Sequence, residues 1–100
     1  MKVSRVDISK LLRTEDDISG FLAAAMEDYD PDVFLACLAD VAKARGITHL
    51  AESTGLNRES LYKSLAPGAR PRFDTIIKIT KALGVTWIPV AATSVHDHAQ

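Results

Sequence analysis

An all-α domain of five short helices, followed by a short C-terminal β-strand, is the fold class that this 100-residue chain predicts. Three observations carry it. Between Ile18 and Leu83 the apolar residues recur at three- and four-residue spacing, the period of amphipathic helices. Helix starters and stoppers punctuate that pattern at Thr14, Asp30-Pro31, Gly46, Asn57, Pro67-Gly68 and Gly84. Only residues 85–92, VTWIPVAA, break it with a β-branched, aromatic and nearly continuous apolar run.

In chain order, Val3 to Ile8 is irregular with weak strand character. Helix one runs from Glu15 to about Asp28, with Thr14 as cap and Asp17 completing a capping-box-like start. Ile18, Phe21, Leu22, Ala25 and Met26 share one of its faces. Helix two starts at Asp30-Pro31, where Asp caps well and Pro loses no needed N–H. It presents Val33, Phe34, Cys37, Leu38 and Val41 and ends at Arg45-Gly46. Thr48 can cap a short third helix and Asn57 a fourth. The fifth spans Asp74 to Leu83, with Gly84 as its stop. The run from Val85 to Ala92 reads as a strand, confined to an edge by Pro89. TSVHDHAQ, residues 93–100, reads as a frayed tail.

The segment ITHLAESTGLNRESLYKSLA, residues 47–66, has the layout of a helix-turn-helix. Ala51 is small where two crossing helices approach. Gly55 can take the positive φ of the turn, and Leu61 locks the second helix inward. With Leu61 and Leu65 facing the core, Arg58, Glu59, Tyr62 and Lys63 face outward near the start of the fourth helix. Arg58 suits a bidentate contact to guanine, Glu59 an acceptor for cytosine, and Tyr62 and Lys63 a thymine methyl or a phosphate. An ordinary exposed helix is the competing reading. Arg70 and Arg72 fall in the following loop, where a phosphate backbone would pass, or they are simply solvated. Thr48 and His49 begin the third helix and either meet a phosphate or serve the cap alone.

Composition sets the bounds. One hundred residues, 47% hydrophobic and 25% charged, make one small soluble domain with a modest core that oligomerisation would help. There is no apolar run of membrane-span length and no signal-peptide core, so the chain reads as cytoplasmic with no membrane partner. The single cysteine, Cys37, falls on an apolar helical face and reads as core. The net charge is −1, but it is unevenly spread. Residues 1–42 hold four basic and nine acidic residues, and residues 43–81 hold eight basic and three acidic ones. The basic block coincides with the helix-turn-helix, the electrostatic footprint of phosphate binding. The acidic half would repel DNA and suits solvent or a basic protein.

Catalysis is not expected. Glu15, Asp16 and Asp17 sit at a helix start, where they complement the dipole, and no nucleophile has a partnered base. No cofactor is expected. His96 and His98 flank Asp97 and hint at a metal, yet no other cluster joins them, so no metal site is assigned. Val85, Trp87, Ile88 and Val90 follow a core already complete without them. Their strand pairs either with its copy in a second subunit, giving a two-fold homodimer, or back onto its own helices. A dimer would suit DNA, because two recognition helices about 34 Å apart read a palindrome.

Three stretches carry a resemblance over nearly the whole chain: EDDISGFLAAAMEDYDPDVFLACLADVAKARGI, ESTGLNRESLYKSL and FDTIIKITKALGV. With them the chain resembles the addiction-module antidote proteins, HigA-like antitoxins of the Cro/repressor helix-turn-helix superfamily encoded beside a RelE/ParE-like toxin. The resemblance implies a lambda-repressor-like fold and two activities: neutralising a small basic toxin, and repressing the operon's own promoter by binding a double-stranded operator. It places DNA contacts at Asn57, Arg58, Glu59, Ser60, Tyr62 and Lys63. The family's Gly-Asn-Pro turn is here Gly68-Ala69-Arg70-Pro71, which leaves the placement of the fifth helix open. The expected layout is an acidic, candidate toxin-binding region over residues 1–30, a DNA-binding core over 31–84, a dimerisation strand over 85–92 and a flexible tail over 93–100. A stand-alone transcriptional regulator, or a remnant that binds only protein, would show the same core.

Overall fold

A computed structural model describes residues 11–92. Over these residues the chain forms five α-helices and no strand: α1 (Glu15–Met26), α2 (Pro31–Arg45), α3 (Ile47–Thr54), α4 (Arg58–Ser64) and α5 (Phe73–Ala82). The expected Val3–Ile8 segment and the 93–100 tail, with His96 and His98, lie outside the described residues.

Local chemistry explains the helix starts. The Thr14 hydroxyl accepts from the Asp17 N–H at 3.0 Å, and the Asp17 carboxylate accepts from the Thr14 N–H at 3.1 Å and the Arg13 N–H at 2.9 Å. These are the reciprocal bonds of a capping box. Asp30 caps α2 through the Asp32 N–H at 3.0 Å, with Pro31 in the first turn. Asn57 caps α4 by accepting from the Ser60 N–H at 2.7 Å. Thr48 does not cap α3. The helix begins one residue earlier, at Ile47, and Gly46 (φ 105°) both closes α2 and opens α3 without a side-chain bond. Helix α1 stops at Met26 rather than Asp28, because the Glu27 and Asp28 N–H groups turn to carbonyls three residues back. Helix α5 starts at Phe73, one residue before the expected Asp74.

Each helix supplies the common core. Ile18, Leu38, Val41, Leu50, Leu61, Ile79 and Leu83 are fully buried. Helix α1 packs on α2, and α3 sits against α2, α4 and α5, so α3 is the hub that orients α4. Cys37 is half-buried and packs against this core, in line with its apolar helical face.

The C-terminal strand is the main correction. Residues 85–91 run without regular structure, and no second strand exists among the described residues for them to pair with. The segment instead folds onto its own helices. The Val85 N–H donates to the Thr80 carbonyl at 2.9 Å, and the Trp87 indole N–H donates to Thr80 Oγ1 at 2.8 Å. The Trp87 ring meets Phe34 edge-on, with centroids 5.7 Å apart and planes at 64°. Thr80 is thereby satisfied in the core, since its hydroxyl also reaches the Ile76 carbonyl. An apolar run suggests two buried faces, but here only Val85 and Trp87 dock, while Ile88 and Val90 stay exposed.

Candidate nucleic-acid interface

Three residues, Gly55 to Asn57, join α3 to α4. Gly55 takes φ 78°, a left-handed value that a side chain resists, and its N–H closes on the Ala51 carbonyl at 3.1 Å. The Thr54 hydroxyl donates to the Leu50 carbonyl at 2.7 Å and accepts the Leu56 N–H at 3.1 Å. Both sides of the turn are therefore tied down before α4 starts. Leu61 and Leu65 then anchor α4 from below. This fixes which residues look outward: Arg58, Glu59 and Lys63 are exposed, as is Tyr62, at 48% of its surface. Ser60 is half-buried beside the cap that its own N–H makes with Asn57. Thr48 and His49 are exposed in the first turn of α3.

The loop between α4 and α5 holds the two arginines differently from a bare phosphate clamp. The Arg70 guanidinium donates to Asp32 at the start of α2 at 2.9 Å, and to its neighbour's carbonyl, Ala69 O, at 3.1 Å. Arg72 donates to Asp74 at 3.1 Å and holds that carboxyl below the usual aspartate range. Both pairs are largely solvent-exposed, so they are weak and readily exchanged for another anion. Asp32 was not foreseeable as a partner, since it lies 38 residues from Arg70 and no local pattern links them.

No group of three or more His, Cys, Asp or Glu residues is placed to hold a metal among the described residues. Burial pushes the Cys37 thiol up, and the Asp40 carboxylate adds to the rise, so its reactive thiolate is disfavoured. No helix among the described residues is long and apolar enough to cross a membrane.

A second surface escaped the sequence. Helix α1 and the 85–92 segment enclose a groove of about 640 Å³, walled largely by apolar side chains. Its signal was present only as apolar residues in excess of one buried face, chiefly Met26, Ile88 and Val90.

Comparison with known proteins bears on identity. A family described as "Probable addiction module antidote protein" matches residues 2–91. An uncharacterized protein of Haemophilus influenzae is 33% identical over 79 residues, covering 79% of this chain and 81% of that protein. No solved structure matches the chain. A family match across residues 2–91 embraces all five helices, and on that ground the chain belongs to the addiction-module antidote family.

Proposed function

We propose that the chain is an antitoxin that neutralises a cognate RelE/ParE-like toxin and represses its own operon by placing α4 in the major groove of a palindromic operator. The observation that carries the DNA half is the outward face of α4. Arg58, Glu59, Tyr62 and Lys63 are exposed together on a helix whose other side is locked by Leu61 and Leu65 and whose turn is fixed by Gly55. That is the geometry by which a helix-turn-helix offers side chains near the start of its second helix to base edges. Family membership supports the toxin half. In this reading Arg58 and Glu59 read bases, Lys63, Arg70 and Arg72 meet phosphates, and Asn57 holds the helix start in register. Thr48 and His49 lie at the α3 N-terminus, where backbone N–H groups favour a phosphate. Two copies acting as a homodimer would present two α4 helices to a palindrome, with Val85, Trp87, Ile88 and Val90 outside any strand that could pair them.

The deciding experiment is co-expression with the product of the adjacent gene, scored by growth rescue and co-purification, together with a gel shift on the operon's promoter. Rescue, a stable complex and a retarded promoter are the expected results. A promoter shift without toxicity or a complex would leave a stand-alone regulator.

A further inference from the structure

Building on the antitoxin reading, we propose that the groove between α1 and residues 85–92 is the seat of the partner protein, and that it takes a basic amphipathic helix of that partner. The groove floor follows one stripe of α1, from Leu22 to Met26 and Glu27, with Trp87, Ile88 and Val90 opposite. A stripe at helical spacing facing a parallel apolar wall is the geometry that receives a helix through anchors at i, i+3 or i+4, and i+7.

The wall is preset rather than collapsed. Trp87 is held at the wall by its bond to Thr80 at 2.8 Å and by the edge of Phe34, which disfavours its swinging in to fill the space. Meanwhile Met26, Ile88 and Val90 expose 51%, 75% and 67% of their surface. Such a cluster of large apolar side chains on a small domain marks an interaction surface.

Charge selects the occupant. Residues 11–32 carry seven acidic side chains against one basic one, Arg13. Glu27 lines the groove itself. Of these acids, only Asp32 has an ion-pair partner among the described residues. A second copy of the chain would bring the same acids to the same rim and be repelled, whereas a helix flanked by Lys and Arg would be steered in.

The test uses the full chain co-expressed with the product of the adjacent gene, comparing wild type, M26K/I88K and E27K. Positions 26 and 88 are exposed, so M26K/I88K is expected to keep the wild-type melting curve and its promoter shift. Its affinity for the partner should fall by about 30-fold or more, as for loss of a central apolar anchor. E27K should slow association at low salt, and the difference should vanish at high salt. Undiminished capture and rescue by M26K/I88K would overturn the groove assignment while leaving the antitoxin reading intact. Absence of any complex with wild type would defeat both. If M26K/I88K instead lowers the oligomeric state by light scattering and leaves capture unchanged, the groove is a contact between copies of this chain, and the assignment is overturned.

Discussion

Arg58 stands at the first position of α4, exposed and directly after the Asn57 cap. In the proposed reading it reads one base, and Arg58→Ala should cost about 1–3 kcal/mol at a single operator position and relax specificity there. A uniform loss across all operator variants, measured by competition gel shifts, would make it a phosphate contact instead. Arg70 poses a different question, because its guanidinium is already engaged by Asp32 at 2.9 Å. An exposed pair of this kind adds at most about 1 kcal/mol to stability, so Asp32 acts mainly as a competitor for the arginine. Asp32→Asn should therefore strengthen operator binding several-fold with little change in Tm. The gain should disappear when Arg70→Ala is added, a coupling that a double-mutant cycle reads directly. Additive effects of the two substitutions would remove Arg70 from the DNA contacts.

Helix starts were the most legible elements, because their chemistry is local. Thr14 with Asp17, Asp30 with Pro31, and Asn57 each sit within three residues of the N–H they satisfy, and each forms the bond its type suggests. Asn57→Ala should lower stability by about 1 kcal/mol, seen as a reduced Tm, since it frees the Ser60 N–H at the head of α4. Asp17 gives a pH signature. Its carboxyl is held below the ordinary aspartate range, first by the Arg13 N–H and then by the Thr14 N–H. A group depressed in the folded state contributes stability that is present above its unfolded value and lost as pH falls through the folded one. Acid titration of thermal stability should therefore show less loss below about pH 4 for Asp17→Asn than for wild type. Parallel curves would show that the box does not survive in solution. At Thr48 the same local chemistry misleads: a Thr two residues after Gly46 looks like a cap, but α2 and α3 share the glycine, leaving no room for another capping residue.

At the scale of the molecule, the inward set of Ile18, Leu38, Leu50, Leu61 and Ile79 and the outward face of α4 could be read from periodicity, because the core constrains every helix. The C-terminal segment could not. Its composition is that of a strand, and only the three-dimensional position of Thr80 and Phe34 decides that Trp87 turns back. The groove beside α1 follows from that turn, and so it too was hidden. The charge asymmetry was visible in the sequence, with its acidic half on α1 and the start of α2 and its basic half on the later helices. In the proposed reading, that division would give one small chain two faces that repel each other's ligands, so that protein and DNA need not compete.

The bond from Trp87 to Thr80 has an optical consequence. Trp87 is the chain's single tryptophan, 37% exposed, anchored at its nitrogen and set at the groove wall. All indole emission therefore arises at one known address. Seating of an apolar helix should shift that emission to the blue, whereas operator DNA at α4 should leave its wavelength unchanged. A titration with each ligand in turn thus separates the two events by colour, with no label attached.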